Sequence, residues 1–303
     1  MASQTIFRTD SQVSQDSTVS AGPSSGVFPK AVTDLGFILG EKVGEGAYAT
    51  VFKVTSSKMP DKLLACKWFD LTNPDQAVWR DKCLKNEMKI MRKLKHKNVM
   101  HAHDVVKTRR QAFIFMNFAT NGSIGDYLEK TKKPIEEKKS KKWFRDIMEG
   151  LAYLHVKGVA HRDLKPDNFL LDNNFADALL TDFGFAVVSL ETPNEKLMRG
   201  TTCGTQLYSA PEVLALEDGK VYDAKRADLY SMGVSLFEML CFNRPFGSEV
   251  GRRDTYVAKQ KAKKYLYRKG VNLEAQKLCN LLLEPKPEKR LTASDALTYN
   301  WFK

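Results

Sequence analysis

The 303-residue chain is 43% hydrophobic and 28% charged, a soluble balance with apolar material for one large domain or two lobes. Its 48 Lys and Arg against 36 Asp and Glu leave a formal charge of +12, which favours acidic partners in general. No apolar run approaches the roughly 18 residues of a membrane span, the N-terminus lacks a secretory-signal layout, and Ala2 excludes the simple myristoylation pattern.

Residues 1–34 are rich in Ser, Thr, Gln and Gly and poor in apolar side chains, the composition of a disordered arm. From Leu35 the pattern changes. Phe37–Leu39, Val51–Val54 and Leu63–Phe69 read as strands. Between the first two, Gly44 and Gly46 stand at a hairpin turn. Glycines there let backbone N–H groups approach a ligand's phosphates, although a plain hairpin turn needs them too. Lys67 lies inside an apolar strand run, a costly place for a cation without a partner. A helix is predicted over about Pro74 to Leu94, with Leu84, Met88 and Met91 at helical spacing and Glu87 among them. Gln111–Phe118 is a further apolar strand.

The second half reads as helical. Trp143, Ile147, Met148, Leu151 and Leu154 form one apolar stripe. A second helix begins at Ala227 and is apolar nearly all round through Cys241, which places it in a core and obliges Asp228 to find partners. The densest basic run, Lys130 to Lys142, is broken by Glu136 and Glu137. With no zinc finger and no basic stripe interleaved with aromatics, no nucleic-acid partner is expected. Cys66, Cys83, Cys203, Cys241 and Cys279 are odd in number and lack metal-ligand spacing, as expected of reduced thiols in the cytoplasm or nucleus.

The most chemically loaded stretch is His161-Arg162-Asp163-Leu164-Lys165-Pro166-Asp167-Asn168, followed by Asp182-Phe183-Gly184. Asp163 can accept a hydroxyl proton and Lys165 can neutralise a phosphate oxygen. Asn168 and Asp182 offer oxygen ligands suited to magnesium. Apolar residues flank the loop, Val159-Ala160 before it and Phe169-Leu170-Leu171 after it, which suits a site better than a solvated surface.

This stretch resembles the catalytic and magnesium loops of the eukaryotic protein kinases, and the family's other signatures follow in order over about residues 35–303. The resemblance implies an α+β bilobal kinase fold: a small antiparallel-sheet lobe at about 35–116 with one main helix, a hinge at 117–119, and a larger helical lobe at 120–303, with ATP between. It makes Asp163, Lys165 and Lys67 catalytic, and Asn168 and Asp182 the Mg2+ ligands. Its nucleotide contacts map to Val43, Gly44, Glu45, Gly46, Ala47, Tyr48, Ala49, Val51, Ala65, Lys67, Glu87, Met116, Asn117, Ala119 and Leu170. Two of these depart from the usual pattern: Ala49 replaces a third glycine, and Asn117 replaces an acidic residue.

The same resemblance pairs Lys67 with Glu87 and Arg290 with Glu212, and hydrogen-bonds Asp228 to the catalytic-loop backbone. Lys165 and the run Thr205–Ala210 follow the serine/threonine pattern, so protein serine and threonine hydroxyls are the expected substrates. Arg162 suits an activation-loop phosphate carried by Thr201 or Thr202 and placed there by an upstream kinase or by autophosphorylation. Asp167 and Glu238 match positions facing basic residues before the target, with a structural role for both carboxylates as the alternative, and Ser123 lacks the acidic group found there in several such kinases. As a whole the sequence is similar to the calcium/calmodulin-dependent group, including its checkpoint and testis-specific types. It ends soon after the family's last helix, so that group's C-terminal calmodulin-binding regulator is not expected. Three Ser-Gln pairs, at Ser3, Ser11 and Ser14, resemble targets of the DNA-damage-responsive kinases. A pseudokinase scaffold is the competing reading. Its usual mark is a lost Lys, Asp or metal ligand, and Lys67, Asp163, Asn168 and Asp182 are all present.

Overall fold

The computed structural model describes residues 28–46, 48–72, 83–189 and 197–303. The chain divides into two compact units. The first holds the residues up to Leu94 with His101–Phe118, and the second holds Lys95–Met100 with Ala119–Lys303.

The first unit is built on a five-stranded antiparallel sheet of β1 (Phe37–Glu45), β2 (Thr50–Ser56), β3 (Leu64–Asp70), β4 (Ala102–Lys107) and β5 (Gln111–Asn117), in the order β1-β2-β3-β5-β4. The aromatic and branched residues of β5 are buried along nearly its whole length, because it lies between two neighbours. Strand β4 was not apparent in the sequence. It is an edge strand, half-exposed throughout, with only Val105 and Val106 as branched apolar residues and a bulge between Ala102 and Asp104.

Residues 28–34, expected to belong to a disordered arm, are ordered. A one-turn helix, α1 (Lys30–Thr33), precedes β1, and Phe28 and Val32 are buried in the cluster formed by Phe37, Phe52, Cys66, Phe113 and Phe115. The Phe28 ring meets Phe113 and Phe115 edge-on, with centroids 5.6 and 5.9 Å away. These two apolar side chains recover enough area to order residues that composition alone assigns to the arm. The three Ser-Gln pairs lie outside the described residues.

Helix α2 (Lys85–Lys93) carries Glu87, Ile90 and Met91 on its buried side, and Leu84 and Leu94 flank it in the core. Met88 is only half-buried. The predicted beginning of this helix, residues 73–82, lies outside the described residues.

The second unit contains α3 (Ile124–Thr131), α4 (Glu137–Val156), α5 (Pro211–Leu214), α6 (Ala224–Cys241), α7 (Arg253–Lys261), α8 (Leu273–Leu282) and α9 (Ala293–Leu297). The predicted α4 stripe from Trp143 to Leu154 is fully buried, and α6 buries residues on every side, Asp228 included. Short strand pairs shape the loops between helices: β6 (Val159–Ala160) with β9 (Val187–Val188), β7 (Phe169–Leu171) with β8 (Ala178–Leu180), and β10 (Met198–Arg199) with β11 (Tyr222–Asp223). Arg290 forms the expected bidentate pair with Glu212, at 2.6 and 2.7 Å. Among the described residues, no helix is long and apolar enough to cross a membrane.

Replacing Phe28 with Ala should cost about 3 kcal/mol, the usual loss for deleting a buried aromatic ring. A urea-unfolding midpoint unchanged from the parent protein would show that the segment does not contribute to the sheet's core.

Candidate active site

In the first unit, β3 presents Lys67 towards α2, where its Nζ lies 2.6 Å from Glu87 Oε1. The lysine side chain is 18% exposed and the glutamate 1%. A carboxylate buried that deeply is tolerated because the ammonium compensates its charge. Across the sheet, Ala65 on β3 is registered with Met116 on β5, and both are buried. Gly46 N–H donates to Ala49 O at 2.8 Å and closes the β1–β2 turn. A Cβ added to Gly44 would meet nothing within 4 Å, which leaves open space beside the turn. Val43, Glu45 and Tyr48 are exposed, and Ala49 and Val51 are half-buried. Ala47 lies outside the described residues. Asn117 Oδ1 is 2.7 Å from His103 Nε2, a partner on β4 that the sequence did not reveal.

In the second unit the loop from His161 to Asn168 is organised by Asp228. One carboxylate oxygen accepts His161 N–H at 2.8 Å and the other accepts Arg162 N–H at 2.7 Å. His155 Nε2 lies 2.9 Å from the first oxygen. Arg162 has a φ of +69°, a region L side chains seldom occupy, and its N–H is one of the two that Asp228 holds. His161 Nε2 lies 2.9 Å from Thr181 O, and its ring packs against Phe183.

Asp163 is nearly buried. Its Oδ1 accepts both the N–H and the hydroxyl of Thr205 at 2.8 Å, and its Oδ2 accepts Asn168 Nδ2 at 3.2 Å. Lys165 Nζ is 3.4 Å from Asp163 Oδ2 and donates to Thr205 Oγ1 at 2.8 Å. Asn168 uses its amide NH2 on Asp163, so Oδ1 is the oxygen it can offer a cation. Thr181 N–H donates to Asn168 O at 3.1 Å and β7 pairs with β8, which brings Asp182 beside Asn168. Asp182 also has positive φ, +62°. Leu170, half-buried, lies on β7.

Arg162 reaches the segment before Thr205. Its Nη2 donates to Thr201 O at 2.5 Å and to Thr201 Oγ1 at 2.9 Å, while its Nε donates to Tyr222 OH at 3.1 Å. Arg199 feels a second cation there: burial, and then Arg162, lower its affinity for its proton. Thr202 is exposed. Glu238 has partners within the chain. Tyr208 OH donates to its Oε2 at 2.5 Å and Arg244 Nε lies 3.2 Å from Oε1, so chain partners already engage both oxygens. Burial raises the Glu238 pKa above the ordinary carboxylate value. Arg244, stacked on the Tyr208 ring, carried no motif by which it could have been found. Asp167 remains exposed.

Residues 37–302 match the protein kinase domain. The chain belongs to the protein kinase family. It is 34% identical over 273 residues to testis-specific serine/threonine-protein kinase 3 of Mus musculus, a match covering 88% of this chain and 96% of that protein. The same protein of Homo sapiens gives the same identity and coverage. CBL-interacting protein kinase 8 of Oryza sativa subsp. japonica is 33% identical over 265 residues, and there the match covers 57% of the relative, so the chain spans little more than half of it. This kinase is therefore a serine/threonine protein kinase, most similar to the calcium/calmodulin-dependent group, and its family uses ATP and Mg2+ on protein substrates. Both lobes have the expected composition of elements, an antiparallel sheet with α2 in one and helices in the other.

The residues present fit those cofactors. Among the described residues no group of three or more His, Cys, Asp or Glu gathers to cage a metal. Asn168 Oδ1 and the Asp182 carboxylate are hard oxygen donors of the kind Mg2+ takes, with water and phosphate in the rest of its shell. The open space at Gly44 suits a phosphate approached by backbone N–H groups.

Gly204 supports the geometry at Asp163. Its φ is +83°, and a Cβ there would stand 2.3 Å from Arg162 O. Gly204→Ala should therefore push Thr205 away from Asp163 and lower peptide phosphorylation by about 100-fold, with thermal stability changed far less. Parent-like turnover in this variant would mean the contact with Thr205 does not depend on close approach at residue 204.

Proposed function

We propose that this kinase transfers phosphate to serine and threonine hydroxyls with Asp163 as base and Lys165 as its cationic partner. One observation carries the reading: the Thr205 hydroxyl sits between them, accepting from Lys165 Nζ and donating to Asp163 Oδ1, each at 2.8 Å. The two side chains thus grip an aliphatic hydroxyl with its proton directed at a carboxylate oxygen. A substrate hydroxyl approaching Asp163 would meet the same pair of groups. ATP supplies the transferable phosphoryl group and Mg2+ neutralises its charge. In this reading Lys67, oriented by Glu87, holds phosphate oxygens, the β1–β2 turn covers them with backbone N–H groups, and Ala65, Met116 and Asn117 of the first unit bear on the base. Asn168 Oδ1 and Asp182 hold the metal.

Regulation belongs to the same proposal. Thr201 Oγ1 already touches the Arg162 guanidinium, with Arg199 close by, so a phosphate on Thr201 would find cations in place. Thr202 is the second candidate, with an upstream kinase or autophosphorylation as the source. A preference for basic residues before the target would draw on the exposed Asp167 and on Glu238, which also pairs with Tyr208 and Arg244. The pseudokinase reading finds no support in the site, where every group required for transfer is present. Five cysteines without a disulfide support the cytoplasm or nucleus as the setting.

Asp163→Asn should abolish phosphorylation of a Ser/Thr peptide, a loss of at least about 100-fold, while nucleotide affinity measured by calorimetry stays near the parent value. Retained turnover would remove Asp163 from the role. Thr201→Ala should lower activity in protein isolated with its activation segment phosphorylated. Equal activity would exclude Thr201 as the acceptor.

A further inference from the structure

The charge of the chain gathers in two runs, Lys130–Lys142 and Arg252–Lys269, and the second carries the larger share. Between Arg252 and Lys269 there are eight Lys or Arg and one acidic residue, Asp254, a balance of +7 against +12 for the whole protein. The stretch comprises α7 and the loop after it. Tyr256, Val257 and Gln260 turn inward, and every one of the eight cations is exposed. Lys263 is paired with Glu284 at 2.7 Å, and Arg268 Nε donates to Leu240 O. Among the described residues, Arg252, Arg253, Lys259, Lys261, Lys264 and Lys269 have no ion-pair partner. The other basic run, Lys130–Lys142, is more compensated: Lys142 is paired with Asp146 and Asp177, and Glu136 and Glu137 interrupt it.

This surface is fastened to the active-site segment. Tyr256 OH donates to Leu207 O at 3.1 Å and Gln260 Nε2 donates to Ser209 O at 2.9 Å. Residues 207 and 209 follow Thr205, whose hydroxyl occupies Asp163. A protein bound with its hydroxyl at Asp163 therefore has α7 near its path. We propose that α7 and the loop to Lys269 form a docking surface for an acidic segment of the substrate protein, distant in sequence from the phosphorylated residue. This rests on the phosphoryl-transfer reading above. Like charges crowded without counter-ions repel one another, and an acidic segment relieves that repulsion. Leu266, 90% exposed at the centre of the loop, adds an apolar contact for a segment in which acidic residues alternate with leucine.

Two other polyanions fit less well. Single-stranded nucleic acid needs exposed aromatic faces for stacking, and Tyr256, Tyr265 and Tyr267 are turned inward, with the latter two hydroxyls donating to Asn280. A membrane surface needs an apolar helix face to insert, and the apolar side of α7 is buried.

The test is fluorescence anisotropy of a labelled peptide of Glu-Glu-Leu repeats against the full chain. Alongside it, steady-state kinetics compare one target peptide with and without that sequence as a tail. Parent protein should bind the labelled peptide and lose at least about tenfold in affinity between low and physiological salt. The tail should lower KM about tenfold with kcat unchanged. Combined substitution of Arg252, Arg253, Lys259, Lys261, Lys264 and Lys269 with Ala should remove both gains while kcat/KM for the tail-less peptide stays the same. Lys133→Ala/Lys138→Ala, in the other basic run, should keep them. Equal binding by parent and six-fold variant would overturn the proposal, as would tighter binding of an oligonucleotide or of phosphatidylserine vesicles through the same six residues. The Asp163→Asn protein should still bind the labelled peptide. Loss of turnover on both target peptides would therefore count against the transfer reading alone, and the anisotropy would still decide the docking surface.

Discussion

The buried carboxylate of Asp228 is the constraint on which the rest of the second unit depends. A charge fully removed from water is costly unless it is surrounded by donors. Here the donors are two consecutive backbone N–H groups of the catalytic loop, with the His155 ring beside them. The helix that carries Asp228 is apolar on every side and locked in the core, so the carboxylate cannot move to water. The loop must come to it. Arg162 accordingly accepts a backbone conformation it would otherwise avoid, and Asp163 and Lys165 follow from that fixed point.

From this anchor the contacts run outward in one direction. Asp163 holds Thr205; Tyr208, three residues later, holds Glu238; and α7 reaches back to Leu207 and Ser209 through two side chains. Arg162 extends the other way, to Thr201 and Tyr222. The segment from Thr201 to Ser209 is thus gripped from three elements. A charge added at Thr201 and a partner bound on α7 would act on the same short piece of chain. That coupling gives regulation and substrate choice a shared physical basis.

Much of this was legible in the sequence because the chemistry is local. The loop from His161 to Asn168 and the triplet beginning at Asp182 place donors and acceptors at fixed short spacings. The stripe from Trp143 to Leu154 and the apolar run of α6 reveal their burial by periodicity. What escaped notice depends on contacts between distant positions. Strand β4 has too few apolar residues to stand out, since an edge strand covers only one side of its neighbour. Phe28 sits in a polar-looking arm, and only the sheet beneath it explains its order. Arg244 and Tyr222 have no motif, yet each controls a partner more than 20 residues away. Gly204 is ordinary in sequence. Its requirement appears only when Arg162 O is seen within 2.3 Å of the missing Cβ.

The most direct test of the account changes the anchor without touching the reacting groups. In Asp228→Asn one acceptor oxygen remains, but an amide NH2 now faces a backbone N–H that the carboxylate held. Single-turnover phosphorylation of a Ser/Thr peptide, together with ATP affinity by calorimetry, separates positioning from binding. The chemical step should slow by about 100-fold, with a dissociation constant for ATP close to the parent value. A chemical step within twofold of the parent rate would contradict this, because the catalytic loop would then hold its geometry without Asp228.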